Sequence, residues 1–315
     1  MSLSSDVIAT PFGPDGRAAR RGGRVEWPTL LVAGLIYGGW FAITLLHNRF
    51  HPIALALAGG WLIAWHGSLQ HEAIHGHPTP WRRLNDALAA VPLSLWLPYE
   101  IYQRSHLAHH ASDHLTHPEH DPEARYLSVH AGALARAAAW LQSTLAGRLV
   151  FGPVIEVAAF LAGEAGRTAR NEGDSRAVWL RHLAAVGLVW TWLHFACRFD
   201  LDAYLLTFVY PGGALTLLRS FAEHRASATP GARVAVVERA PLLGLLFLNN
   251  NLHAAHHRWP GAPWWRLPAL YRRHRDELVA ENGGLVYAGY AEVAARFLLR
   301  PHDVTTHPDA SEAHG

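Results

Sequence analysis

The sequence predicts an all-α integral membrane protein with four transmembrane helices in two hairpins, interfacial helices, and a cytosolic cap that holds a metal site. Three observations predict this class. Half of the 315 residues are hydrophobic and only 17% are charged, whereas soluble proteins average roughly 25% charged residues. The apolar residues form long segments, and most of the 23 histidines lie in the polar stretches between them.

The first hairpin is predicted from two apolar segments, at about 27–46 and 53–69. The first segment is long enough to cross a hydrocarbon core of about 30 Å at about 1.5 Å per residue. The second segment is predicted to cross back to the first side of the membrane. The link between them is short and contains Arg49. A second pair repeats this layout at about 180–197 and 201–218.

Arginine placement orients the chain. If the two hairpins alone span the membrane, the outer loops contain only Arg49 and Arg198, and all other arginines lie on one side, as the positive-inside tendency requires. A fifth span would spoil this asymmetry, so the apolar stretches 87–98 and 149–163 are predicted to be re-entrant or interfacial helices. The histidine clusters and both termini then face the cytoplasm, and a bacterial inner membrane is the expected location.

We expect residues 1–26 to form a cytosolic N-terminal segment, 27–300 a single membrane domain, and 301–315 a disordered tail. A net charge of +2 with dispersed arginines excludes the basic surface of a nucleic-acid-binding protein. The lone Cys197 excludes thiolate zinc clusters, iron–sulfur centres and a fused rubredoxin-type carrier, because each needs several thiolates.

Three histidine clusters have helical spacing. An HxxxH pattern follows the second apolar segment, and two HxxHH patterns occur further along the chain. Positions i, i+3 and i+4 lie on one face of an α-helix, so each cluster can direct two or three imidazoles at one place. Neutral imidazole suits iron, zinc, copper or nickel. The candidate metal ligands are His71, His75, His106, His109, His110, His253, His256 and His257.

The number of candidate ligands predicts a dinuclear site. A tetrahedral zinc ion takes at most about four protein ligands, whereas two irons of higher coordination number can use about nine. The first cluster also matches HExxH, in which Glu72 would activate a zinc-bound water in an intramembrane protease. That protease stays the alternative from another class, but it leaves the two HxxHH clusters unexplained. A soluble ferritin-like protein is excluded because its second ExxH motif is missing.

The order of the three clusters resembles the histidine boxes of the membrane fatty acid desaturase superfamily, over roughly 27–270. This superfamily includes integral-membrane di-iron desaturases, hydroxylases, alkane oxidases and carotenoid ketolases. The resemblance implies four membrane helices, a cytosolic cap, two iron ions and O2 as co-substrate. It also implies a ninth ligand just after the fourth span, at His224. The run 257–268 resembles the corresponding stretch of carotenoid ketolases and of rhizopine-catabolism-type desaturases.

Polar side chains near the boxes are candidates for holding a ligand imidazole through its second ring nitrogen. No catalytic group beyond the metal ligands is predicted. The candidates for this supporting role are Asp113, Glu119, Asp121, Glu223, Asn249 and Asn250.

The predicted activity is O2-dependent desaturation of a fatty acyl or lipid substrate, with electrons from a separate ferredoxin- or rubredoxin-type protein. Hydroxylation or ketolation of alkyl chains or carotenoids is the alternative within the same superfamily. A basic group after the third box would dock an acidic donor or contact lipid headgroups; its members are Arg266, Arg272, Arg273 and Arg275. The expected lining of a hydrophobic substrate tunnel is Trp61, Trp65, Trp96, Trp190 and Trp192.

Overall fold

The computed structural model describes residues 25–227 and 229–308, which are mostly α-helical. In chain order the helices are α1 (Trp27–Leu45), α2 (Pro52–Ile74), α3 (Arg82–Ala89), α4 (Tyr99–Ala111), α5 (Ala133–Leu141), α6 (Leu145–Val150), α7 (Gly152–Arg170), α8 (Ser175–Thr191), α9 (Leu201–Tyr204), α10 (Tyr210–Glu223), α11 (Pro241–Leu246), α12 (His253–Arg258), α13 (Leu267–Glu281) and α14 (Tyr290–Phe297). Two parallel strands, β1 (Val236–Val237) and β2 (Val286–Tyr287), pair with each other. The predicted N-terminal segment lies almost wholly outside the described residues.

Three of the described helices are long and apolar enough to cross a membrane, namely α1, α2 and the continuous helix Leu201–Glu223. The first two carry proline in their first turn, where the missing N–H group costs no helical hydrogen bond. The remaining predicted span, the third in chain order at about 180–197, falls on α8 and on the π-helical turn Trp192–Ala196 that continues it. This helix does not match the apolarity of the other three, since Arg181 and His182 lie within the predicted span.

Helix α2 packs against both α1 and α10, and glycines permit the close approach to α10. A Cβ atom on Gly60 would lie 2.8 Å from the Cβ of Pro211, and one on Gly212 would lie 2.5 Å from the Cβ of Ile63. Small residues at such contacts let helix backbones approach closely in a membrane protein. The packing fixes α2, whose C-terminal end carries the first histidine cluster.

The stretch 87–98 differs from the predicted re-entrant or interfacial helix, because helical structure ends at Ala89. The irregular backbone that follows is hydrogen-bonded to the surrounding helices. Tyr204 donates its hydroxyl hydrogen to the carbonyl oxygen of Leu93 (2.7 Å), and the indole of Trp40 donates to the Tyr204 oxygen (2.9 Å). Irregular backbone beside membrane helices is stable where protein groups satisfy it in this way.

Shorter elements follow or connect the long helices. They include α4, α12, α13 and the β1–β2 pair, and α13 packs on α12. Residues 301–308, expected to belong to a disordered tail, lie against the segment after α4. Tyr126 donates its hydroxyl hydrogen to Asp303 (2.9 Å), and the backbone N–H of His307 donates to the carbonyl of Leu127 (3.1 Å).

Candidate metal centre

Four structural elements bring nine histidines together in two groups. The end of α2 and the residue after it supply the first box, α4 the second and α12 the third, while His224 follows directly after α10. In each group the potential ligand nitrogens all lie within 4.8 Å of one another. The first group is His71, His75, His106, His110 and His256, and the second is His109, His224, His253 and His257. The second and third boxes therefore each contribute to both groups.

Within each group, pairs of Nε2 atoms stand at the spacing of neighbouring ligands around one metal ion. The separations are 3.1 Å for His75 and His106, 2.9 Å for His224 and His253, and 3.1 Å for His253 and His257. Nitrogens bound about 2.1 Å from a metal lie ~3.0 Å apart at right angles and ~3.4 Å apart in a tetrahedron. The observed spacing is therefore that of nitrogens which share one metal ion.

The hydrogen bonds of the outer ring nitrogens indicate that a cation belongs between these atoms. His253 Nδ1 faces the amide oxygen of Asn250 (3.1 Å), and His224 Nδ1 faces the carbonyl of Arg233 (3.2 Å), so both Nδ1 atoms must donate. Their Nε2 atoms then direct lone pairs at each other across 2.9 Å. A bound cation relieves that repulsion. In addition, the buried Nε2 of His71 has no hydrogen-bond partner among the described residues.

Two carboxylates hold ligand imidazoles of the second box. Asp121 Oδ1 accepts a hydrogen bond from His109 Nδ1 (2.8 Å) and Glu123 accepts one from His106 Nδ1 (3.1 Å). Asp121 also accepts from the backbone N–H groups of Thr116 and Glu123, which fixes its orientation. Such contacts select the tautomer with Nε2 free for a metal. Glu123 was not predicted, although it follows the predicted Asp121 by only two residues.

The third box has its own polar support. The amide nitrogen of Asn250 donates to Glu223 Oε1 (3.1 Å), so its oxygen must face His253. Arg219 forms an ion pair with the same Glu223 oxygen (3.2 Å). This chain of contacts links α10 to α12 and fixes the imidazole of His253. Asn250 thus contacts His253 directly, and Glu223 contacts Asn250.

Three other predicted supporting residues lie elsewhere. Asp113 and Glu119 are exposed, and neither carboxylate contacts a ligand imidazole in the described part of the chain. Asn249 donates its side-chain amide to the carbonyl of Trp264 (3.1 Å). Its backbone has a φ of 57°, a left-handed conformation that asparagine tolerates better than most residues. Asn249 therefore shapes the turn before α12 rather than touching a ligand.

The protein environment favours neutral imidazole at most of these positions. Burial, followed by the charge of neighbouring histidines, holds the pKa well below its usual value at five of the candidate ligands outside the apolar helices, namely His75, His110, His253, His256 and His257. The same causes lower the pKa of His224 to about 3. At His109, burial opposes protonation, but the hydrogen bond to Asp121 and nearby carboxylates outweigh it and raise the pKa. Neutral imidazole is the form that binds metals.

Glu72 does not point at the histidines. Its Oε2 accepts a hydrogen bond from the backbone N–H of Trp264 (3.1 Å), and the indole of Trp264 donates to Thr29 (3.2 Å). The carboxylate therefore ties α2 to the segment after α12. In an HExxH protease the corresponding carboxylate activates a metal-bound water, a role that this position does not suit.

A large cavity adjoins the histidine groups. Its volume is about 1080 Å³, at the upper end of the roughly 300–1,000 Å³ typical of ligand sites. At one end it is lined by His106, His224 and His253. Elsewhere its wall includes the apolar side chains of Val154 and Leu206, which are 62% and 67% exposed. The cavity thus connects the histidines with the apolar exterior.

Only one of the tryptophans predicted to line a substrate tunnel, Trp96, lies in the wall of this cavity. Trp65 is part of the buried core, and the other three pack against that core. The frequency of tryptophan in apolar helices does not distinguish core packing from tunnel lining. Four of these five tryptophans belong to the core or pack against it.

Comparison with known proteins identifies a family whose model covers the three histidine boxes. The family model of fatty acid desaturases matches residues 48–290. The chain is also similar to a zeaxanthin 4-ketolase of Chlamydomonas reinhardtii, with 27% identity over 224 residues, which is 67% of this chain and 42% of that protein. The chain thus spans less than half of the length of this relative. Because the family model covers most of the sequence, including all three histidine boxes and His224, the chain belongs to the fatty acid desaturase family.

Proposed function

We propose that this chain is a membrane di-iron oxidoreductase that uses O2 and external electrons to oxidise a C–H bond of a hydrophobic substrate. One observation carries the proposal: two groups of histidines, with Nε2 pairs about 3 Å apart, adjoin a cavity that opens to the apolar exterior. The first group would hold one iron and the second group the other. Bound iron would supply the oxidising power that unactivated C–H bonds require.

The chain's own residues position the substrate and hold the ligands. The polar end of the cavity is formed by side chains that already have partners, such as Glu223, Asn250 and Glu123. The reacting carbon would reach this end, while the rest of an elongated apolar molecule lies against α7 and the apolar wall near Leu206. Enclosure by apolar side chains would also exclude water from the reaction.

Two reaction outcomes remain in the proposal. Desaturation of a fatty acyl or lipid chain is the outcome predicted from the sequence. Ketolation or hydroxylation of a carotenoid is the second candidate, favoured by the similarity to a zeaxanthin 4-ketolase. Desaturation removes hydrogen from two neighbouring carbons, whereas ketolation and hydroxylation add oxygen, so the products distinguish them by mass.

We further propose a topology of four spans, with the segment 180–197 as the third, and with the histidine groups and both termini on the cytosolic side of a bacterial inner membrane. The arginine distribution supports this orientation. On that side, Arg272 and Arg273 of α13 are exposed and would dock an acidic ferredoxin- or rubredoxin-type donor. Arg275 is a weaker candidate for docking because it forms an ion pair with Glu238 (2.6 Å).

The test begins with metal analysis of the protein purified in mild detergent after growth in iron-supplemented medium. The expected result is about two irons per chain, a ratio set by the two histidine groups. Protein with this iron content, supplied with a reductant and O2, is then screened against fatty acyl lipids and carotenoids with product detection by mass spectrometry. About one zinc per chain and no iron would refute the proposal and favour a zinc enzyme.

A further inference from the structure

The wall of the cavity contains a buried guanidinium with unused hydrogen-bond donors. Arg148 of α6 is 6% exposed and lines the cavity. Its Nη1 donates to Gln142 (2.6 Å) and to Glu156 (2.8 Å). Its Nε is buried and has no hydrogen-bond partner among the described residues. A buried N–H group without an acceptor destabilises the protein, so an acceptor from a bound molecule would fit here.

The charges around the cavity indicate which acceptor fits. Burial lowers the pKa of Arg148 to about 10, so the group remains charged at neutral pH, and Glu156 balances that charge. In total, three arginines and four acidic residues line the cavity; they are Arg125, Arg148, Arg219, Glu123, Glu156, Glu223 and Asp303. A carboxylate ligand would add a further negative charge in apolar surroundings, which is costly. A hydroxyl, ketone or ester oxygen adds none.

Contacts between α6 and α10 show how far along the α10 axis Arg148 lies from the candidate metal ligands. A Cβ atom on Gly152 would lie 2.6 Å from a methyl group of Leu217 and 3.6 Å from Cδ of Arg148. Arg148 therefore lies near the level of Leu217 on α10. His224 follows Leu217 by seven residues, which is roughly 10 Å along a helix axis.

We propose that Arg148 is a specificity-determining residue that binds an uncharged oxygen function of the substrate through Nε, about two turns of α10 away from His224. This inference rests on the proposed function in that it takes the cavity as the substrate site. It narrows the substrate class to elongated apolar molecules with a hydroxyl, ketone or ester group at that distance. Saturated hydrocarbons without oxygen, and free fatty acids bound through their carboxylate at Arg148, are disfavoured.

Equilibrium binding tests this inference without turnover. The full-length protein in detergent is titrated with radiolabelled 1-octadecanol, octadecane and octadecanoate, and the ratios of their Kd values are compared between variants, so that partition of each probe into detergent cancels. A hydrogen bond to a charged donor predicts that Arg148→Met lowers the preference for the alcohol over the alkane by roughly tenfold or more. The matched control is Arg170→Met, at an exposed arginine paired with Glu172 outside the cavity, and it should leave the ratio unchanged.

A second variant tests the charge argument and keeps the test valid if Arg148→Met fails to fold. Glu156→Gln retains the guanidinium but removes its balancing charge, so binding of octadecanoate relative to octadecanol should strengthen severalfold. An unchanged alcohol preference in a folded Arg148→Met protein, or an unchanged octadecanoate ratio in Glu156→Gln, would overturn the inference. Iron content and turnover are measured on the same preparations. Ratios that change as expected in a protein without iron or turnover would refute the proposed function and leave the binding role of Arg148 standing.

Discussion

Replacing Asp121 with asparagine removes a negative charge that holds a ligand imidazole of the second histidine group. The Asp121 and His109 side chains are 1% and 2% exposed, and their hydrogen bond is 2.8 Å long. Asp121 accepts further hydrogen bonds from two backbone N–H groups, those of Thr116 and Glu123. Asparagine has only one acceptor oxygen, so in either orientation its NH2 group faces a donor.

The size of the effect follows from these contacts. A buried hydrogen bond to a charged group contributes about 1.5–3 kcal/mol, which corresponds to roughly a 10- to 100-fold change in affinity. Loss of a carboxylate that orients a metal-bound histidine typically weakens metal binding by a similar 10- to 100-fold. Because His109 belongs to the second group, the iron of that group should be lost first, and the other should be retained at moderate chelator concentration.

The assay is competition with a chromophoric iron chelator, followed by elemental analysis of the protein at each chelator concentration. The matched control is Asp113→Asn, an exposed aspartate just after the second box, which should behave like the wild type. Equal iron retention by the wild type and Asp121→Asn would refute the role of Asp121. Equal losses in Asp121→Asn and Asp113→Asn would show that any charge change near the second box acts in the same way.

Three other substitutions give distinct expectations. Glu123→Gln should weaken iron binding less than the Asp121 change, by roughly threefold to tenfold in the chelator assay, because the Glu123 side chain is 30% exposed and solvent screens its charge. Glu72→Gln should retain iron and turnover, since a glutamine oxygen can still accept from the Trp264 N–H; a zinc protease of the HExxH type would lose its activity. His302 has its pKa lowered to about 3 by burial, and the unfolded chain binds a proton there near pH 6.5. Stability from the neutral His302 is therefore present above about pH 6.5 and lost as the pH falls, by about 1 kcal/mol at pH 5.5; thermal unfolding of His302→Gln at pH 5.5 and 7.5 should show a smaller pH dependence than the wild type.

The three histidine clusters could be predicted from the sequence because their spacing is local, but their division into two groups could not, because the second and third boxes each contribute imidazoles to both groups. Spacings of three and four residues place imidazoles on one helical face, whatever the position of that helix in the fold. His224 has no such spacing signal, and only the resemblance to a known family indicated it. Its place in the second group depends on α10 ending directly before it and on an extended backbone at that residue, features that single-residue patterns do not reveal.

Other features depend on tertiary contacts that no local pattern encodes. Glu123 and Asp113 are both acidic residues in the loop after α4, yet only Glu123 reaches a ligand imidazole, because the turn at Asp121 directs the chain back towards α4. Likewise, the apolar stretch 87–98 has the composition of a helix. Hydrogen bonding from Tyr204 to Leu93 stabilises an irregular path instead, and only the packed helices supply that partner.

The cavity meets the two histidine groups unequally, and this bears on where a substrate can react. Among the nine histidines of the two groups, those in its wall are His106 of the first group and His224 and His253 of the second. His71 and His256 are buried, and neither lines the cavity. A molecule in the cavity would therefore reach both histidine groups beside imidazoles that Glu123 and Asn250 hold in place. Each of the three imidazoles in the wall is thus hydrogen-bonded through Nδ1, with the carbonyl of Arg233 as the partner of His224, and small displacements of these imidazoles would most affect a reacting substrate.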